Sequence, residues 1–274
     1  MAASIHPTAV VDPSARLADG VVVGPNAVIG AEVEIGEGTE VGSGAQIHGP
    51  STIGRENRIF SLACIGFEPQ DLKFAGERTV LEVGDRNHFR EFCTVHRGTG
   101  KGGGLTRIGD DNLFMAYSHV AHDCFVGSRT VFANAATLAG HVEIHDDVTI
   151  SAFSAVHQFT RVGRHAYIGG YTVLVQDALP FAKTVGQKPA VYGLNRIGLE
   201  RKGVPAESID RLEKAMRILV REGLGLSTAL ERLRNEIAAD DHVQYLIEYL
   251  EGSKRGVVRS APGRRSARGG GSAD

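Results

Sequence analysis

The stretch VVVGPNAVIGAEVEIGEGTEVGSGAQI (residues 21–47) decides the fold. Val23, Ile29, Ile35, Val41 and Ile47 recur every six residues, and glycine follows four of these five. A period of six matches neither the 3.6-residue turn of an α-helix nor the simple alternation of a strand. It fits short strands joined by tight corners, with one inward aliphatic side chain per strand. Three such faces close a coil of 18 residues, and Gly and Asn at the corners are expected to supply positive φ at low cost.

Toward the N-terminus the same register passes through Leu17, Val11 and Ile5; forward it passes through Ile53, Ile59 and Ile65. It then meets Asp71 and Glu77 within EPQDLKFAGERT (68–79), so that segment is expected to leave the coil as a loop. The register resumes at Val83, Phe89 and Val95. A second break, GTGKGGGLTR (98–107), shifts it by one residue, after which every sixth position from Ile108 to Leu174 is aliphatic or Phe. The expected architecture is an all-β parallel β-helix over residues 1–190, nearly nine coils and on the order of 40 Å long. A small α-helical region should follow over 191–256. There Ile209, Leu212, Met216, Leu219 and Val220, then Leu230, Leu233 and Ile237, then Val243, Leu246, Ile247 and Leu250 recur at three- and four-residue spacing. Ser208 and Ser227 are placed near helix starts. The Gly-, Ser- and Arg-rich residues 257–274 are expected to be disordered.

Composition narrows the function classes. The net charge of −2 gives no reason to expect nucleic acid or an anionic membrane as partner. The first residues lack a secretory pattern, and no stretch approaches the roughly 20 apolar residues of a membrane span. Cys64, Cys93 and Cys124 are odd in number and lack metal-type spacing, so they read as free thiols in a reducing cytoplasm. A chain with 35 Gly, no Trp and many Val, Ile and Ala suits a narrow core with tight corners.

A stacking scaffold explains the aliphatic residues but not the histidines His96, His119, His122, His141, His145, His157 and His165. Stacked at 18 residues, His122, Gly140 and Gln158 share one column; Asp123, His141 and Phe159 share the next. Successive coils lie about 4.8 Å apart, so His122 and Gln158 are roughly 10 Å apart with a glycine between them. That glycine leaves room for a ligand, and its amide can face a developing oxyanion. Two chemistries use such a group: zinc bound by imidazoles, and general-base removal of a proton from a hydroxyl that attacks an acyl group. The neighbouring carboxylate and the oxyanion donor fit the second better.

The motifs IGRENRIFSLACIG (53–66), QDLKFAGE (70–77), HRGT (96–99), GGGLTRIG (102–109), HVAHDCFVG (119–127), NAATLAGHV (134–142) and AVHQF (155–159) occur in one order and spacing. With them the chain resembles the UDP-N-acetylglucosamine O-acyltransferase family of hexapeptide-repeat enzymes, which act at the first committed step of lipid A biosynthesis. The resemblance implies a left-handed coil, whereas the general preference for right-handed crossovers would give the opposite hand. It implies an (R)-3-hydroxyacyl thioester on acyl carrier protein as donor and the glucosamine 3-hydroxyl of UDP-N-acetylglucosamine as acceptor. No cofactor is expected beyond the phosphopantetheine that the donor carries.

By the same resemblance His122 is the general base, Gly140 the backbone oxyanion donor and Asp123 the support of the base. Neighbouring strand residues face opposite ways, so that last pairing needs a corner or another subunit. Asp71 and Gln158 match sugar contacts. Gln70 and Lys73 match ligand contacts on the first loop, and His96, His119, His141 and His157 match lining residues of the cleft. Asn195 and Arg201 match residues near the nucleotide, and Gly170 the position that limits acyl length. A homotrimer with sites between subunits is implied, with Lys202, Arg201, Arg211, Lys214, Arg217 and Arg221 as a basic rim for the acidic carrier protein. Ile197 stands where the family commonly has an acidic residue, and Lys188 where it often has histidine. The related N-acyltransferase carries an extra N-terminal uridine-binding domain, for which a repeat starting at Ile5 leaves no room. Transfer to the 3-amino analogue of the sugar, a zinc hydratase and a non-catalytic scaffold stand as alternatives.

Overall fold

The structure, a computed structural model, describes residues 2–260. The hexads form a left-handed parallel β-helix with three faces. The first face runs from Ser4–Ile5, the second from Val10–Val11 and the third from Arg16–Leu17; they hold 11, 9 and 8 strands. Each strand pairs in parallel with the strand one coil on, as His119↔Thr137 and Val120↔Leu138. Every aliphatic or Phe register position from Val23 to Leu174 is buried. The inward rings of Phe89, Phe114 and Phe132 stack along the axis at 4.9 and 4.8 Å. In the first coil Ile5 is 46% exposed, because among the described residues no coil stacks beneath it.

The corners differ from expectation. At eleven successive positions spaced by six, from Asp111 to Tyr171, the left-handed residue is never glycine; Tyr117, Asp123, Arg129, His141 and Phe159 are among them. Stacking supplies the compensation: ten of these corner N–H groups donate to a carbonyl of the preceding coil, as His141 N–H to His122 O at 3.0 Å and Asp147 N–H to Ser128 O at 3.0 Å, and that of Asp123 donates to the Thr106 hydroxyl. The glycines after the inward aliphatics serve close approach instead. A Cβ at Gly36 would lie 2.7 Å from the Gly54 backbone.

Each edge of the prism consequently carries its own chemistry. The edge between first and second faces bears Leu62, Phe92, Tyr117, Phe153 and Tyr171; that between third and first bears Arg86, Asp111, Arg129 and Asp147 in ion pairs. The edge between second and third bears Asp123, His141 and Phe159.

Both excursions leave the coil at this third edge. The first occupies residues 68–79, between Cys64–Phe67 and Val80–Val83. The second is shorter than 98–107, because Leu105–Ile108 is a strand paired with Val80–Val83. After Leu174 the first face continues through Ala182–Val185, and Ala190–Leu194 folds back on it antiparallel, so a boundary at residue 190 would fall at the start of a strand of this hairpin. Helices α1 (Arg196–Arg201), α2 (Ala206–Met216), α3 (Leu226–Glu236) and α4 (Asp241–Glu251) follow. Helix α2 begins after Pro205 and α3 after Gly225, so Ser208 and Ser227 lie within their first turns rather than at the caps; Ser208 Oγ donates instead to Asp240, the cap of α4.

Helix α4 docks on the coil through Tyr245 Oη and His145 Nδ1, 2.8 Å apart, and through Arg161, which lies over the Tyr249 ring and donates to its carbonyl. The start of the presumed tail is ordered: Val258 is buried, its N–H donates to Asp177 O, and Ser260 O accepts from Val191 N–H. Residues 261–274 lie outside the described residues.

Candidate active site

The corner answers how adjacent residues pair. Asp123 sits at φ +58°, which turns its side chain back beside that of its neighbour. Its Oδ2 accepts from His122 Nδ1 at 2.8 Å, and its side chain is 1% exposed. Oδ1 accepts from Thr99 N–H at 2.9 Å, and Oδ2 also accepts from Thr99 Oγ1 at 2.7 Å. The carboxylate is thus buried but fully supplied with donors. Because it only accepts, His122 carries its proton on Nδ1 and keeps Nε2 as the lone-pair nitrogen.

Gly140 lies one coil on, directly against the His122 ring. A Cβ there would lie 2.4 Å from His122 Cε1. Gly140 is buried, and among the described residues its N–H has no acceptor. An unpaired buried amide beside a lone-pair imidazole nitrogen is the arrangement that base-assisted acyl transfer requires.

Burial lowers the pKa of the flanking imidazoles. His141 meets His122 edge-on at 5.1 Å and stacks on Phe159 at 4.4 Å. Burial lowers its pKa, opposed by the charges of Asp123 and, from the first excursion, Asp71. His119, bonded to Thr94 Oγ1 at 2.7 Å, is pushed down to about 4 by burial and by the facing His96 and His122. His96 is lowered mainly by burial; its Nδ1–H donates to Glu68 O at 2.5 Å. His157 and Gln158 are exposed one coil above Gly140.

Other expected residues sit apart. Gln70 and Lys73 are exposed on the first excursion, where Lys73 N–H donates to Asp71 Oδ1. Asn195 donates to His165 O, and Arg201 is exposed in α1; among the described residues no hydrogen bond or ion pair joins either to the cluster. Gly170 is exposed and outside the left-handed region, and a Cβ there would meet only Ala152 O, at 3.4 Å. It lies in the corner turn, but the left-handed position there belongs to Tyr171, so the turn does not require a glycine at 170. His145 and His165 leave the cluster for Tyr245 and Phe181. Of the basic rim, Lys202 pairs with Asp147 and Arg211 with Asp240, while Arg201, Lys214 and Arg221 have no ion pair among the described residues.

Sequence reasoning missed Thr99, Thr106 and Glu77. Thr106 Oγ1 accepts from Asp123 N–H, and Glu77 accepts from Gly100 and Ala75 N–H, joining the two excursions. Thr99 and Glu77 lie in breaks of the repeat and Thr106 in the strand after the second break; the signal was that all three fall inside the motifs HRGT (96–99), QDLKFAGE (70–77) and GGGLTRIG (102–109). His122, Asp123 and His141 offer three donor atoms within 4.8 Å, the minimum for a metal, yet both Asp123 oxygens are already engaged.

Comparison with known proteins places these features in context. A sequence profile described as UDP N-acetylglucosamine O-acyltransferase, domain 2, matches residues 177–258. The acyl-[acyl-carrier-protein]–UDP-N-acetylglucosamine O-acyltransferase of Thiobacillus denitrificans is 50% identical over 257 residues, covering 94% of this chain and all of that one. The Myxococcus xanthus protein of the same name is 51% identical over 257 residues, with the same coverage. Among solved structures, the UDP-N-acetylglucosamine acyltransferase of Francisella novicida superimposes with a TM-score of 0.91 at 36% identity, covering 94% of this chain and 95% of that one. The UDP-N-acetylglucosamine O-acyltransferase of Moraxella catarrhalis does so with a TM-score of 0.90 at 42% identity, covering 93% and 99%.

Proposed function

This chain belongs to the UDP-N-acetylglucosamine O-acyltransferase family, and from that premise we propose how its own residues move an acyl group from acyl carrier protein to the sugar nucleotide. The donor is an (R)-3-hydroxyacyl thioester, and the acceptor is the glucosamine 3-hydroxyl. His122 Nε2 takes the hydroxyl proton as the sugar oxygen attacks the thioester carbonyl. The oxyanion of the tetrahedral intermediate receives the Gly140 N–H. Collapse expels the phosphopantetheine thiolate, which takes the proton from His122, so the products are the 3-O-acyl sugar nucleotide and the free thiol. Asp123 stabilises the transient imidazolium. No bound cofactor enters this cycle, and zinc is not required for it.

The observation that carries the reading is the conjunction at one corner: a His122–Asp123 pair 2.8 Å apart facing an unpaired Gly140 amide. Asp71 and Gln158 bind the sugar, with Gln70, Lys73, His96, His119, His141 and His157 around it. Asn195 and Arg201 receive the nucleotide end. Gly170 leaves the acyl path open, since nothing in its surroundings requires a glycine. The working unit is a homotrimer in the cytoplasm, where acyl carrier protein supplies the donor; among the described residues no helix is long and apolar enough to cross a membrane. Thioester consumption by purified protein, with UDP-N-acetylglucosamine or its 3-amino analogue and a panel of donor lengths, tests the reading. His122→Ala is expected to lower kcat by about 10²–10⁴-fold. Retention of full activity by that variant would remove His122 as base.

A further inference from the structure

We infer that Thr99 is a positioning residue for the reaction, holding Asp123 so that His122 stays in the tautomer with Nε2 free. The inference rests on the reading of His122 as base. Thr99 is buried and opens the single 3-10 turn Gly100–Gly102 of the second excursion. Its hydroxyl accepts from Gly102 N–H at 3.1 Å. A hydroxyl has one hydrogen, and the ionised carboxylate only accepts, so that hydrogen goes to Asp123 Oδ2 at 2.7 Å. The Thr99 N–H fills Oδ1 at 2.9 Å. Both oxygens are therefore gripped by one residue, and the same Oδ2 holds His122 Nδ1.

The turn closes tightly over this pair. A Cβ at Gly102 would lie 2.1 Å from Asp123 Cγ, and one at Gly98 would lie 2.8 Å from Asp123 Oδ1. Glu77 Oε1 fixes the turn from the other side by accepting from Gly100 N–H at 3.0 Å. The second excursion is thus built around the acceptor of the base rather than around the substrate.

The hydroxyl also sets how strongly the base is held. Its hydrogen bond withdraws charge from Oδ2. Without it Oδ2 attracts the imidazolium more strongly, so the acid limb of kcat/KM moves to higher pH. The carboxylate also loses a donor that orients it, so kcat falls. Thr99→Val removes the hydroxyl but keeps the N–H and the shape.

The test is steady-state kinetics across pH for the wild type, Thr99→Val, Thr99→Ser and His122→Ala. Thr99→Val is expected to lose about ten- to a hundredfold in kcat, with KM for both substrates within about twofold. Its acid limb rises by about half a pH unit or more, and Thr99→Ser restores both features. A merely structural residue would move the melting temperature and KM but not the limb. A Thr99→Val profile identical to wild type while His122→Ala is inactive overturns the role of Thr99 alone. An active His122→Ala overturns the base assignment and this inference with it. Should Thr99→Val not fold, ¹⁵N resonances of labelled histidine in the wild-type protein decide: His122 protonated on Nδ1 supports the inference, and protonation on Nε2 overturns it.

Discussion

Gly140 is where one missing carbon matters most. Its backbone lies outside the left-handed region, so alanine suits its φ, and the harm of a Cβ comes only from the His122 ring 2.4 Å away. Gly140→Ala is expected to push the ring off Asp123 or the amide off the oxyanion, lowering kcat by about 10²–10³-fold. A thermal melt should stay near that of the wild type. A kcat within about twofold of wild type would show that amide and ring are not jointly required. At this scale the sequence told much: an 18-residue spacing put His122, Gly140 and Gln158 in one column. It could not tell which way Asp123 turns, because its left-handed φ is imposed by coil stacking and not by residue type. Thr99 was illegible for another reason. It lies 24 residues before Asp123 in a Gly-rich break, where no period relates the two.

The coil as an element is held by a buried polar ladder as well as by its aliphatics. Asn57, Asn87 and Asn112 stack inside one corner, each bonded to the next, and Thr130 closes the run. Asn87 Nδ2 donates to Asn57 Oδ1 and Gly109 O, and its Oδ1 accepts from the backbone and side chain of Asn112. Asn87→Leu keeps the volume and strands several of these partners away from water. The cost is about 3 kcal/mol, which lowers the melting temperature by roughly 10 °C. A shift below about 2 °C in a thermal melt would mean that water or relaxation replaces the ladder. The inward aliphatic period was plain in the sequence because burial selects it at every sixth position. Corner chemistry was not, since Glu, Arg, Phe, Tyr, His and Asp all occupy left-handed corners here. Neither was the end of the coil, where the hairpin and Val258 are fixed by contacts between residues about 80 apart in the chain, as in Val258 N–H to Asp177 O.

For the whole molecule, the proposed site is open on one side. Two clefts of the described residues lie elsewhere: one of about 410 Å³ between Arg16, Glu34, Arg78 and Glu82, another of about 330 Å³ between Tyr192, Met216 and Arg221. Neither reaches His122. Acyl transfer needs water kept from the thioester and the oxyanion, so the second face must be covered. That face lies between the histidine edge and the aromatic edge, where Phe92 stacks on Tyr117 at 4.9 Å and Phe153 on Tyr171 at 5.2 Å. These four rings are 43–65% exposed, a run of apolar surface that a lone soluble chain seldom leaves in water. The trimer proposed above covers it with a second copy and would set that copy's residues opposite His122. Outward side chains obey no six-residue rule, which is why the sequence located the prism but not its neighbour. Sedimentation equilibrium is expected to give about three times the 29.2 kDa chain mass. Activity per chain should fall on dilution as the assembly separates. A monomer active at every concentration would contradict a shared site and require the cover to come from this chain's own excursions.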